Sequence, residues 1–232
     1  MKKIYYLLFP CILLTIISIN LFGQNCANTA NVYQFTHSNK KYEVVKELKS
    51  WEDAAACAQQ RGGYLAEINS QSENDSIYDA IINDAGVSLN YTSVPDAANQ
   101  GAYVWIGATD KITEGTWLWN GNNDNTGINF WNGGSGLQGG NPVAGKYHNW
   151  GGKSENTIVE PENGNGVQQD AAGMGLSNWL GNIAIGGEWN DINMVNQLYY
   201  VIEFDNPPTA DFSADQTLIC AGDSVSLVTI VS

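Results

Sequence analysis

The chain has 232 residues with 24 acids against 10 lysines and arginines, a formal net charge of −14. This balance argues against nucleic acid or anionic lipid as a partner. It suits a solvated exported protein that captures cations, although acidity for solubility alone would give the same number. The length suffices for one well-packed domain plus part of another, and eight Trp and eleven Tyr supply aromatic bulk for its core.

The chain opens with MKKIYYLLFPCILLTIISINLFGQ, two lysines ahead of an apolar stretch that ends in small and polar residues. Residues 1–23 therefore read as a secretory signal peptide cleaved near Gly23, with a retained membrane anchor as the alternative. Neither Cys11 nor Cys26 follows the small residues that a lipidated cysteine requires. Cleavage removes Lys2 and Lys3 and no acid, so the mature charge becomes −16. The mature chain is expected outside the cell or on its surface, with no membrane insertion. It keeps Cys26, Cys57 and Cys220, too few and too scattered for a disulfide framework.

The segment from Tyr33 to Leu48 reads as a β-hairpin with Ser38-Asn39 at its turn. Ser50-Trp51-Glu52-Asp53 resembles a capping box that opens a helix over about 50–61, and Gly62-Gly63 stops it. Ser70-Gln71-Ser72-Glu73 repeats the device before a second helix, where Ile77, Ala80 and Ile81 share one face. Strand-like pieces follow at Ala102 to Asp110, Gly115 to Gly121 and, much later, Gln197 to Asp205. Strands at both ends with helices early give an α+β order. Between Gly121 and Gly166 lie 46 residues with 12 Gly and 10 Asn. Phe130, Trp131, Tyr147 and Trp150 within it favour an ordered loop over disorder. From Asn206 the character changes again. Residues 207–232 read as the start of an immunoglobulin-like β domain, since about 26 residues cannot close a sandwich.

Glu160, Glu162, Asp170, Asn190 and Asp191 form the strongest chemical constellation. Carboxylates and amide carbonyls are hard oxygen donors, and Ca²⁺ takes about 6 to 8 of them in flexible geometry. Zinc would require His or Cys, and the chain holds only His37 and His148. Four carboxylates converging without a cation would repel one another. Taken singly, each of these acids is an ordinary solvated loop charge. No Ser/His/Asp or Cys/His set stands in a credible context, so the chain is not read as an enzyme.

Six stretches in order resemble the C-type lectin-like domain family across about residues 33–205: SWEDAAACAQQRGGYLAEINSQSEN, VWIGATD with EGTWLW, YHNW, VEPE, GEWND and YYVIEF. The resemblance implies a double-loop α+β domain, residues 24–206, whose ends meet in a sheet and whose long loop carries a Ca²⁺ site. It places Glu160 and Glu162 at the two ligand positions of the family's Glu-Pro-Asn triplet, and Asn190 and Asp191 at those of Trp-Asn-Asp. It implies a cis Pro161. A further acidic ligand falls at Gln169 or Asp170, with Asp170 preferred.

The implied function is calcium-dependent binding of carbohydrate by a secreted or surface bacterial adhesin module. The sugar would meet Glu160, Glu162, Asn190 and Asp191, with Trp150 near the site. Glu162 replaces an amide, which donates and accepts, by a carboxylate, which only accepts; Asn163 could supply the amide instead. Cys57 matches the family's first cysteine, but Ile202 stands where its partner would be. Cys57 is then a buried small hydrophobe, or pairs with Cys26. The absence of the family's second disulfide would leave loop order more dependent on calcium. Trp105, Trp117, Trp119 and Trp189 read as core. A protein- or ice-binding domain with purely structural calcium is the alternative function. The C-terminal NPPTADFSADQTLICAGDSVSL is similar to the opening of polycystic-kidney-disease-type repeats, which would make further domains of a longer protein the neighbours.

Overall fold

A computed structural model describes residues 26–95, 101–153, 156–162 and 168–205, together with the backbone of 210–214 and 227–231. The hairpin forms where the turn residues dictate. Ser38 and Asn39 both take positive φ, 48° and 67°, as a two-residue type I′ turn requires. They fold β1 (Val32–His37) onto β2 (Lys40–Lys49) with Phe35 opposite Tyr42, their rings stacked at 5.0 Å.

Helix α1 (Trp51–Gln60) begins where the Ser50 side chain accepts the Asp53 backbone N–H at 3.2 Å, which satisfies one of the free donors of the first turn. After the short β3 (Tyr64–Leu65), α2 (Gln71–Asp79) starts in the same way on Ser70. It runs on as a π turn over Ala80–Asp84. Ile77, Ala80 and Ile81 face inward and are buried.

The remaining strands are β4 (Tyr103–Thr109), β5 (Thr116–Trp119), β6 (Ile128–Asn132), β7 (Asn141–Pro142), β8 (Ala171–Gly175), β9 (Trp189–Ile192) and β10 (Leu198–Phe204). The last strand ties the domain's ends together, pairing antiparallel with β2 and β3 and parallel with β4. Every residue of β4 is buried. There Gly107 is required, because a Cβ would lie 2.3 Å from the Leu65 carbonyl oxygen. Beneath the hairpin a polar cluster is enclosed: Lys40 pairs with Glu203 and Glu73, Tyr42 donates to Glu73 at 2.5 Å, and the Glu67 N–H donates to Glu203 at 3.0 Å.

Two expectations need correction. Cys57 is not an unpaired hydrophobe but is disulfide-bonded to Cys26, and Tyr200 donates its hydroxyl to Cys57 Sγ at 2.9 Å. The bond joins α1 to the segment ahead of β1, so the replacement of a last-strand cysteine by Ile202 leaves no orphan thiol there. The glycine- and asparagine-rich stretch is not one loop, since β6 and β7 pair within it. Its described part is held by buried Phe130, Trp131 and Trp150, with Trp150 edge-on to Trp117 at 4.7 Å and to Trp189 at 5.9 Å. Aromatic packing thus holds the described part of the stretch.

Among the described residues no helix is long and apolar enough to cross a membrane. Farther on, β11 (Ala210–Ala214) pairs antiparallel with β12 (Leu227–Val231). The expected signal peptide and Cys220 lie outside the described residues.

Candidate functional site

Backbone hydrogen bonds bring the two distant acidic motifs together. Strand β9 pairs with β8 so that Asn190 faces Gly173 and Asp191 faces Ala172. On its other side Trp189 exchanges bonds with the long loop: its N–H donates to Asn149 O and its carbonyl accepts from Gly151 N, both at 2.8 Å. Gly151 O in turn accepts from Val159 N at 2.8 Å, which lays the Ile158–Glu162 segment alongside. The Glu160–Pro161 peptide is cis, and Glu162 N donates to Asp191 Oδ2 at 3.0 Å. Glu188 fixes the approach, its Oε2 accepting from Gly152 N at 3.0 Å and Ile185 N at 3.1 Å.

Two carboxyls are enclosed here. Glu160 is 2% exposed and Asp191 1%. Glu160 Oε2 is buried without a hydrogen-bond partner. Burial first, then the charge of Asp191, pushes the Glu160 pKa well above the usual carboxylate range. Asn190 is buried too, and its Nδ2 has no partner. The Glu162 side chain is exposed.

Asp170 stands with a second group. Its backbone carbonyl accepts from Asp110 N at 3.3 Å and from Thr109 Oγ1 at 2.5 Å. Its carboxyl pKa is raised by burial and then by Glu114. Asp110 is itself pushed up to about 8 by burial, against the Gly115 N–H bond at 2.9 Å, with Glu114, Asp170 and Asp191 adding repulsion. Asp110 and Glu114, which the sequence reading had passed over, line a cleft of about 290 Å³ with Trp117, Pro161, Glu162 and Asp191. Among the described residues no lysine or arginine lines it. A signal existed: Asp110 is an acid set directly after the run Val104-Trp105-Ile106-Gly107-Ala108-Thr109, with Glu114 four residues later.

Other expected site residues fare differently. Gln169, the alternative to Asp170, is buried. Asn163 lies outside the described residues. Trp150, expected near a ligand, is fully buried between Trp117 and Trp189; its rings are spent on the core, and it has no face to offer a sugar. Among the described residues no three His, Cys, Asp or Glu side chains stand around one point as a metal ion would need. The donors do fit a hard cation in kind: they are all oxygen, and the buried Glu160 Oε2 lacks a donor.

The sequence profile of the Lectin C-type domain matches residues 47–201. Halomucin of Haloquadratum walsbyi is 28% identical over 210 residues, 87% of this chain and 2% of its own length. Collectin-11 of Danio rerio is 32% identical over 79 residues, 34% of this chain and 29% of its own. The chain thus spans a minor part of these relatives. Among solved structures, the carbohydrate-recognition domain of the mouse scavenger receptor C-type lectin is 21% identical, covering 78% of this chain and 100% of its own, with a TM-score of 0.46. C-type lectin domains typically work outside cells or at their surface. The profile spans the helices, the central strands and both acidic motifs, and the chain belongs to the C-type lectin domain family.

Proposed function

We propose that the domain binds carbohydrate through Ca²⁺ held by Glu160, Glu162, Asn190 and Asp191, with Asp110, Glu114 and Asp170 adding oxygen donors beside them. The observation that carries this is the pair Glu160 and Asp191: two buried carboxyls side by side, one with an oxygen that no donor reaches. Two like charges in so dry a place cannot both stay ionised. Either a proton or a cation resolves the conflict, and outside cells calcium is available at the concentrations that extracellular sites bind, about 10⁻⁴ to 10⁻³ M.

Bound there, Ca²⁺ would neutralise the carboxylates and offer open coordination positions to a pair of sugar hydroxyls. The chain's own part is to aim the donors. The Glu162 N–H holds Asp191, and β8 and β9 fix Asn190 and Asp191 one after the other. Exposed Glu162 presents an acceptor to the ligand, so the sugar edge it meets must donate. The relatives carry the matching segment as a small part of longer chains, which supports reading this domain as a binding module of an exported protein. Single-site affinity for one sugar is weak, and adhesion would draw on several copies.

The test is glycan-array binding of the full chain in calcium and in EDTA, followed by competition with free sugar. Binding that needs calcium and yields to free sugar supports the proposal. Calcium uptake without any sugar competition would leave the ion as a structural staple and favour a protein or ice surface as ligand.

A further inference from the structure

A second cleft, of about 220 Å³, opens between α2 and the loop that leads into β9. One wall is the α2 face with Asn74, Asp75 and Tyr78; the other carries Asn149, Lys153 and Ile185. The cleft is braced. Asn74 Nδ2 and Asn149 Nδ2 both donate to Gly187 O, at 3.2 and 2.9 Å, and the Tyr78 hydroxyl donates to Leu176 O at 3.0 Å. Gly186 keeps the walls close, since a Cβ there would lie 2.2 Å from the Tyr78 hydroxyl.

The lining selects a ligand. Lys153 Nζ donates one hydrogen to His148 O at 2.6 Å and lies 4.3 Å from the centre of the Tyr147 ring. An ammonium has three donors, so others remain for a guest. Across the cleft, exposed Asp75 accepts from Gln71 at 2.8 Å on Oδ1, and a carboxylate has further acceptor sites. A guest must therefore accept on one side and donate on the other. An anion would face Asp75 and Glu188, and a cation would face Lys153. Hydroxyl groups do both without charge. The half-buried Tyr78 ring and Ile185, 40% exposed, add an apolar wall for C–H groups. The volume is below the roughly 300 to 1,000 Å³ typical of drug-sized ligands, which leaves room for one ring.

We propose that this cleft is a second sugar subsite, taking one neutral hexose-sized residue without a metal ion. It shares the carbohydrate ligand class of the reading above but not its cation. The experiment is an NMR titration of the full chain in EDTA, following the side chains of Tyr78, Asn149 and Lys153. The probes are methyl α-mannopyranoside, methyl β-galactopyranoside and N-acetylglucosamine. At least one neutral sugar should give saturable shifts with a Kd on the order of millimolar. Glucosamine and glucuronate should bind more weakly than the neutral probes. Ile185→Trp, which fills the cleft from its rim, and Asp75→Ala should each weaken binding at least about fivefold at unchanged melting temperature.

No saturable shift with any neutral sugar in EDTA overturns the proposal, as does binding untouched by Ile185→Trp in a folded variant. Sugar binding that appears only with calcium sinks this subsite and leaves the cation site standing. Binding in EDTA that calcium does not strengthen does the reverse.

Discussion

Substituting Glu160 by Gln separates the two fates open to that carboxyl. It is buried beside Asp191, and burial and that neighbouring charge both favour its protonated form. Glutamine has the same shape, carries no charge and brings an amide that can donate to Asp191. At an effective dielectric of 20, two unit charges about 4 Å apart repel by about 4 kcal/mol, an upper bound on the conflict removed. A new hydrogen bond to a charged group adds about 1.5 to 3 kcal/mol at best. After losses to imperfect geometry, the variant in EDTA should match or exceed the parent by about 1 kcal/mol.

With calcium at about 100 times its Kd the parent should gain about 2.7 kcal/mol, or roughly 5 to 10 °C for a domain of this size. The variant, with an amide oxygen in place of a carboxylate, should keep less than about 0.5 kcal/mol of that gain. The order of stabilities therefore inverts between chelator and calcium. Thermal melts of both proteins in the two buffers read it directly. A variant weaker than the parent by the same margin in both would show Glu160 to be an ordinary structural acid, and the reasoning from its burial would be wrong.

Three other perturbations probe separate parts of the molecule. The Cys26–Cys57 bond closes a loop of sequence separation 31, so Cys26→Ser should cost about 3.7 kcal/mol by loss of denatured-state constraint; urea melts showing under about 1 kcal/mol would contradict this account. Glu67 is pushed from 4.5 up to about 7 by burial and then by Glu203. A raised acid stabilises the fold below about pH 4.5 and loses that contribution as pH climbs to about 7, so the parent should lose about 2 kcal/mol across this window relative to Glu67→Gln. Denaturant midpoints that track each other at every pH would exclude the effect. In Gly151→Ala the new Cβ would lie 2.4 Å from the Trp179 ring and 3.1 Å from Glu160 Cγ. That overpacking should cost about 1 to 3 kcal/mol and weaken calcium uptake by calorimetry, whereas unchanged affinity would detach Glu160 from the site.

What the sequence disclosed follows the range of the forces involved. The Ser38-Asn39 turn, the Ser50 and Ser70 caps and the apolar run of β4 are set by residues within a few positions of one another, and each forms where its local pattern points. Strand β8, Ala-Ala-Gly-Met-Gly, has little β-propensity and shows no alternation. It is a strand because β4 and β9 flank it and because small residues admit their neighbours: a Cβ on Gly173 would lie 2.7 Å from Ile192 and 3.1 Å from Tyr103. The Cys26–Cys57 pairing, which the sequence left open beside an unpaired Cys57, likewise joins segments 31 residues apart.

The site divides along the same line. Glu160, Glu162, Asn190 and Asp191 are conspicuous in the sequence because carboxylates and amides crowd around a proline and a tryptophan. Asp110 and Glu114 are not, since they read as the punctuation after a strand. Only the folded chain shows that Asp110 N reaches Asp170 O while Glu162 N reaches Asp191 Oδ2, so that the two acidic groups border one cleft with Asp191 on its wall. Asp170 therefore belongs with Asp110 and Glu114, although in sequence it sits nearer Glu160. An acidic group that straddles two loops in this way depends on the β8–β9 pairing that carries Asp191, and Trp189 of that strand bridges to Trp150 of the long loop. The same burial that denies Trp150 a sugar-facing role packs it against Trp189 of β9, the strand that carries Asn190 and Asp191.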